Sequence, residues 1–446
     1  MKKIVLTIAL IAGLVSAINA QWVSPGDGNT YTLPDLVAAT DGVVTNVGTT
    51  FTIHADLTIA HNDVLLIDNQ VMRIDAPGVL ITINGSMNCV QTGDRVKLYG
   101  TQQNQFSMRF ENATNCLVKK MYFSDGAGIK VIESDVTFDD VKFVYFTRDY
   151  SNSVINILNC DPTIKDCYFM LNEGSAIGSP INGQASPQIL NCDFDTNVNG
   201  INAPQINLGP GAEDTIRIVG NEIYTIMAQW YVGGISIADL MGMEFTKVLL
   251  KDNIIREGRY GYNQQGERIS SVIIGNQFIN NNHEENPMNG GSGISIYGSS
   301  ITNKAILRNN VITGNLWGIT AIDLHDIDLG TEDDWGYNEI HNNGNSGVIY
   351  DLYNNSACNI MAVGNDWGTV EEDVIESHIV HQNDDPSLGL VTYIPYVGGD
   401  DAVGEVFENN SLKDNLIYTV EGRCLGTELP ENYRGVYIRN GRKFVK

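Results

Sequence analysis

One motif recurs along the chain and leaves few folds open to it. A short aliphatic run is followed by a polar pair, a slot that is often Asn or Cys, one variable residue, and then Ile, Phe or Val. It reads Thr163-Ile164-Lys165-Asp166-Cys167-Tyr168-Phe169 and again Gln188-Ile189-Leu190-Asn191-Cys192-Asp193-Phe194. Later copies place Asn221, Asn253, Asn276, Asn310, Asn338 and Asn365 in the slot, and weaker ones place Met121 and Val141 there. By subtraction of those positions, successive slots lie 20 to 34 residues apart, the length of one supersecondary unit per repeat.

The segments inside each repeat alternate with period two and break at Gly or Asn, so each is a short strand rather than a turn of helix. Helical solenoids would need a period of 3.6, and leucine-rich repeats a regular leucine spacing that is missing here. Variable repeat length suits a solenoid of stacked strands, in which loops bulge from a corner without disturbing the stack. The expected fold is therefore all-β, a right-handed single-stranded parallel β-helix. Stacking at about 4.8 Å would bring each slot Asn under the next, where its amide donates and accepts along a ladder; the alternative is that Asn serves only as a turn former. Cys167 and Cys192 would stack one coil apart, within disulfide reach, but are read as two buried thiols.

A second strand accompanies many ladders: Gly234-Ile235-Ser236-Ile237, Gly293-Ile294-Ser295-Ile296 and Gly318-Ile319-Thr320-Ala321. Alternation turns the Ile residues inward and places Ser236, Ser295 and Thr320 on an external face. Shorter coils begin near Phe51-Thr52-Ile53 and Leu57-Thr58-Ile59. The open ends of such a stack need covering.

The 446 residues carry a net charge of -26, which disfavours a nucleic-acid partner because the phosphate backbone rewards the opposite sign. Lys2 and Lys3, the apolar run Ile4 to Val15, and Ala17 to Ala20 form an expected signal peptide cleaved after Ala20, so the mature chain is expected to be exported. No other run is long and apolar enough for a transmembrane segment. Seven Cys, an odd number without a CxxC pair, argue against a stapled scaffold or a zinc site.

From Val43 to Pro395 the chain resembles the right-handed parallel β-helix, or pectate-lyase-like, superfamily. The resemblance rests on the repeat and on the closing segment Gly364-Asn365-Asp366-Trp367-Gly368-Thr369, which is similar to the Asn-x-Trp-Gly ending of many bacterial β-helix proteins. Thr369 and Glu372 have capping-box spacing, and Val374, Ile375, His378 and Ile379 share a helical face, so a short capping helix is expected near 370–381, with His378 packed rather than a ligand. The tail runs from Leu416 through Leu429-Pro430 to Gly435-Val436-Tyr437-Ile438 and the Asn440-Gly441 hairpin turn, and from Glu421 onward it holds six Lys or Arg against three Glu. It resembles the C-terminal sorting domain of Bacteroidetes type IX secretion substrates, which implies export across the outer membrane and attachment at the surface. The alternative is a plain hairpin cap. The expected organisation is a signal peptide at 1–20, an N-terminal cap at 21–42, the β-helix at 43–396, and a linker with the sorting tail at 397–446.

Relatives of this fold act on polysaccharides laid along one outer face, but the Gly-His-Gly and Arg-Ile-Lys motifs of the pectin hydrolases and the Arg-rich signatures of pectate lyases are absent. Asp139-Asp140 stands without those partners and receives no catalytic role. Asp239 and Asp323 occupy equivalent places after the second strand and are weak catalytic candidates, about 10 Å apart if one coil separates them. Asp323, Asp326 and Asp328 could hold calcium or form a solvated acidic loop. Arg256, Arg259, Tyr260, Tyr262 and His283 lie in longer excursions that suit sugar stacking and carboxylate recognition, or else are plain loop decoration of the solenoid. The leading expectation is a secreted or surface-attached protein that binds a polysaccharide or cell-surface glycan without catalysis. A polysaccharide lyase or glycoside hydrolase, and a structural spacer, are the alternatives.

Overall fold

The computed structural model describes residues 21–399 apart from 199–200, 226–230, 243–244 and 285–289, and, beyond them, 417–419, 424–426, 429, 434, 436–439 and 442–445. The expected signal peptide lies outside the described residues. Two compact units divide at Gly398/Gly399.

The first unit is a parallel β-helix, as the repeat requires. Each coil supplies three strands, seen clearly at Ser153–Leu158, Thr163–Lys165 and Tyr168–Met170. We call the three stacks they belong to faces 1, 2 and 3. Face 3 is a 13-stranded sheet, whereas faces 1 and 2 merge into one 26-stranded sheet. They merge because Ser292–Arg308 and Trp317–Asp328 are each a single strand that rounds the corner between them.

The recurrent motif spans the end of face 2, a tight corner and the start of face 3. The residue before each slot has positive φ: Asp166 54°, Asn191 52°, Gly220 70°, Asp252 54°, Gly275 68° and Asn309 57°. Asn, Asp and Gly tolerate that region best, which explains the polar pair before the slot. The chain then turns the slot residue into the core. Asn221, Asn253, Asn276, Asn310, Asn338 and Asn365 are all fully buried, and each amide from Asn221 onward donates to the next at 2.8 to 3.0 Å. Each backbone N–H also donates to the following side-chain oxygen, at 2.9 to 3.0 Å. The Asn column is thus a hydrogen-bonded ladder, and the neighbouring residue makes the turn. Cys167 and Cys192 are free, buried thiols in the same column, with Cys192 Sγ 3.4 Å from the Cys167 N–H.

A second amide ladder runs down the corner between faces 3 and 1, five residues after the first. Asn281, Asn315 and Asn343 are linked at 3.1 and 2.8 Å, and Asn343 donates at 2.9 Å to the buried carboxylate of Asp351. Between the corners the core is a stack of side chains in register. Phe143, Phe169 and Phe194 lie ring on ring, 4.7 and 5.0 Å apart. Each such fully buried side chain contributes roughly 1.5–3 kcal/mol.

Residues 21–42 build a partial first coil. Trp22–Val23 pairs with Leu57-Thr58 and Thr30–Thr32 with Val64 to Leu66. The helix α1 (Leu33–Ala39) follows, with a reciprocal Thr32/Asp35 capping box and Leu33 and Leu36 buried against the coil. The fully buried Asp63 accepts from the backbone N–H groups of Gly26, Gly28 and Asn29 at 2.8 to 3.0 Å, tying this segment down.

At the other end the helix α2 (Glu372–Ser377) is shorter than expected, and its capping box is not formed. Its N-cap is Glu371, because Thr369 Oγ1 instead accepts from the Glu371 N–H at 3.2 Å. The chain does not stop there. Ile379–Val380 pairs with Leu352-Tyr353 on face 1 and Val391–Thr392 with Ile360–Met361 on face 2, so α2 sits within a last partial coil. Trp367, Tyr393 and Tyr396 close the core, with ring centroids 6.3 and 6.4 Å apart. His378 packs against the structure, its Nδ1 3.1 Å from Asp351.

The second unit is a four-stranded antiparallel sheet in the order Cys424–Gly426, Ile417–Thr419, Val436–Arg439 and Arg442–Val445. The last two strands form the expected hairpin, with Arg439 opposite Arg442 across residues 440–441.

Candidate functional site

The outside of face 1 carries one continuous column of residues, in register coil after coil. It runs Arg109, Lys130, Asn156, Gly178, Asn207, Ser236, Asn263, Ser295, Thr320 and Tyr353. The column next to it is glycine where the chain enters this face. A Cβ on Gly234, Gly261 or Gly318 would lie 2.3 to 2.5 Å from the carbonyl oxygen of the adjoining coil, so only glycine fits there. That is the physical content of the recurring Gly-Ile-Ser-Ile segment: a close corner, two core residues, and a hydroxyl outside.

Over the C-terminal part of this column lies a cleft of about 380 Å³. Asn263, Ser295 and Thr320 form its floor, Arg259 and Tyr260 with Asn202 and Pro204 one wall, and Trp317, Tyr353 and Asn355 the other. Trp317 belongs to an aromatic cluster, 4.4 Å from Tyr350 and 5.0 Å from Tyr353 between ring centroids. The floor is cross-linked by Ser292 Oγ to Thr320 Oγ1 at 2.9 Å and by Asn263 Nδ2 donating to Ser236 Oγ at 3.1 Å. The excursion after the face 3 strand Ile254–Arg256 delivers the opposite wall. Glu257 turns it with φ 57°, and the Arg259 N–H donates to the Val232 carbonyl at 2.8 Å. Arg259 Nη1 reaches Asn202 Oδ1 across the one intervening coil. The Tyr260 ring occupies the space a side chain on Gly233 would need, and burial pushes its phenol up to about 12.

Five residues were expected to recognise sugar, and the fold gathers two of them, Arg259 and Tyr260. Tyr262 points the other way: it pairs in register with Ile235 and Ile294, is fully buried, and its hydroxyl meets Gln264 Oε1 at 3.1 Å and Ser271 Oγ at 3.0 Å. Arg256 lies on the outside of face 3, paired with Glu222 at 2.7 Å and stacked 4.6 Å over Tyr224. The His283 side chain is buried, with Nε2 3.4 Å from Glu257. Trp317, Tyr353, Asn263 and Asn202 escaped sequence reasoning. Reading Gly261-Tyr262-Asn263 as one more copy of the Gly-Ile-Ser segment would have found Asn263 and turned Tyr262 inward.

Asp239 and Asp323 share a column, but Gly266 and Gly298 both separate them. Three coil steps place them about 14 Å apart rather than 10, beyond the separation of an inverting carboxylate pair. Asp239 is also buried, accepting from the Gly242 N–H at 2.9 Å. The three acidic calcium candidates do not converge. Asp326 is paired with Lys304 at 2.7 Å, and Asp328 with Arg308 at 2.8 Å, while Asp323 is exposed. Among the described residues no three His, Cys, Asp or Glu side chains come together as a metal site. Among the described residues that line the cleft, none is Asp, Glu or His.

A family model described as a protein of unknown function, DUF1565, matches residues 260–374, which include most of the cleft. No curated protein matches the chain. Among solved structures, a substituted form of the periplasmic alginate epimerase AlgG superposes with a TM-score of 0.50 at 11% identity, over 82% of each chain. A mannuronic acid specific polysaccharide family 6 lyase from human gut microbiota gives 0.33 at 14% identity, over 82% of this chain and 91% of that one. The AlgG likeness is one of fold, in accord with the parallel β-helix described above. No helix among the described residues is long and apolar enough to cross a membrane.

Proposed function

We propose that this protein is an exported β-helix that binds a glycan in the face 1 cleft without transforming it. The observation that carries this reading is the make-up of the cleft. Aromatic faces at Trp317 and Tyr353 suit the apolar faces of sugar rings, and Asn263, Ser295, Thr320 and Asn355 suit their hydroxyls. The only charge among the described lining residues is the guanidinium of Arg259. Proton abstraction or glycosidic cleavage calls for a general acid or base within reach of the sugar; the described lining holds no carboxylate, imidazole or lysine, and of its phenols Tyr260 is pushed up to about 12 by burial, which makes it a poor base. Calorimetric titration of the mature protein with a panel of neutral and uronic oligosaccharides tests this. Binding to at least one should weaken at least tenfold in Trp317→Ala, with no new reducing or unsaturated ends. Turnover of any bound glycan would replace binding with catalysis as the function.

The leader at 1–20 and the basic tail support export, and the resemblance of the tail to type IX sorting domains supports surface attachment. On that reading, deletion of residues 416–446 traps the protein in the periplasm. Surface display of the truncated form would remove the sorting role.

A further inference from the structure

We propose that the outside of face 3, from Arg73 to Tyr168, is a second and separate binding surface, for an extended anionic polysaccharide. Stacking places Arg73, Lys97, Tyr122, Lys142 and Tyr168 in one column, each paired in register with the next. Tyr99, in the adjoining column, carries the Arg73 guanidinium 4.5 Å over its ring and packs 5.9 Å from Tyr122. The Lys142 ammonium lies 5.5 Å from the centre of the Tyr168 ring. Arg73 is paired with Asp75, whereas Lys97, which is exposed, and Lys142 form no ion pair among the described residues.

The column has a defined length because its sign reverses. Asp193 follows Tyr168 and Glu222 follows Asp193 in the same register. Four coil steps give a basic and aromatic stretch of about 19 Å. The surroundings agree: residues 73–170 hold ten Lys or Arg against eleven Asp or Glu, whereas residues 171–399 hold eight against 28. The negative charge of the chain is therefore concentrated away from this stretch, and an anionic polymer would be held here and turned away farther along. Tyr rings beside cations suit a chain of pyranose rings bearing carboxylate or sulfate, with ring faces on the Tyr side chains and charges on the Lys side chains. This surface lies on a different face from the cleft and does not depend on it.

Affinity electrophoresis of the mature protein through polygalacturonate, dextran sulfate and neutral dextran tests the proposal. Retardation is expected in one or both anionic gels and not in dextran, declining as salt rises. Lys97→Glu and Lys142→Glu should each weaken retention about fivefold, since each reverses a surface charge. Lys97 has no ion pair to lose among the described residues, so its variant should keep the wild-type unfolding midpoint. Retention equal to wild type in both charge-reversal variants, or no retention in either anionic gel, would overturn the proposal.

Discussion

Replacing Asn310 with Leu measures what the main ladder contributes. Asn310 is fully buried. Its Oδ1 accepts from the Asn276 backbone N–H at 2.9 Å and from the Asn276 amide at 3.0 Å. Its Nδ2 donates to the Ile273 carbonyl at 2.9 Å and to Asn338 Oδ1 at 2.8 Å. Leu keeps the number and branching of the side-chain heavy atoms and removes all four bonds. Asn338 Oδ1 still accepts from the Asn310 N–H and the Asn276 amide still donates to the Leu250 carbonyl, so the Asn276 N–H is the group left buried without an acceptor. Such an orphan costs about 1–3 kcal/mol and each further lost bond about 1 kcal/mol, so the expected destabilisation is roughly 3–5 kcal/mol after the apolar gain of Leu. With an m-value of about 3 kcal/mol/M, the urea midpoint falls by about 1 M or more. Asn310→Cys provides the internal comparison. In the same column Cys192 Sγ already accepts the Cys167 N–H at 3.4 Å, so a thiol there should cost about half as much as Leu. Fluorescence-monitored urea unfolding of the three proteins decides the matter. A Leu variant no less stable than the Cys variant, or a midpoint shifted by less than about 0.3 M, would refute the ladder as a source of stability.

Two further outcomes follow from the corners and the closing coil. Gly318→Ala sets a Cβ 2.3 Å from the Asp351 carbonyl oxygen, a backbone atom that cannot swing aside, and should lower thermal stability by about 1–3 kcal/mol with visible loss of cooperativity by calorimetry. Asp351, buried at the end of the second ladder, has its carboxyl pushed up to about 7 by desolvation. The folded state therefore holds this proton more tightly than the unfolded chain, and the associated stability is complete below the usual carboxylate range and is lost as pH rises toward and through about 7. Asp351→Asn should remove that part of the pH dependence, at most about 1.4 kcal/mol per pH unit, and be more stable than wild type at pH 8 in urea titrations. An unchanged slope between pH 5 and 8 would exclude Asp351 as its source.

Much of the architecture is legible in the residues themselves, because a solenoid repeats one local solution. A left-handed Asn, Asp or Gly followed by an inward Asn identifies every corner of the main ladder except that at Asn338, where Tyr337 takes the left-handed place, and alternation in Gly-Ile-Ser-Ile assigns the inner and outer sides of face 1. The second ladder, five residues after the first, carries the same signal, a left-handed residue followed by an inward Asn. The local pattern misleads where a residue's neighbours come from other coils. Tyr262 looks like a sugar-stacking aromatic within its own loop, yet register with Ile235 and Ile294 sends it into the core. Asp239 and Asp323 look one coil apart until two glycine rungs are counted between them.

A period of two, tight left-handed turns and variable coil lengths point along the chain alone to a parallel β-helix with amide-lined corners. The proposed cleft emerges only when the coils are stacked. The cleft draws Asn202, Arg259, Trp317 and Tyr353 from separate coils onto one surface, whereas on face 3 Tyr122, Lys142 and Tyr168 directly follow the slot residues Met121, Val141 and Cys167 and stack by the repeat itself. Loop lengths of different coils set the meetings at the cleft, and a periodic pattern read along one dimension does not encode which bulge will lie over which.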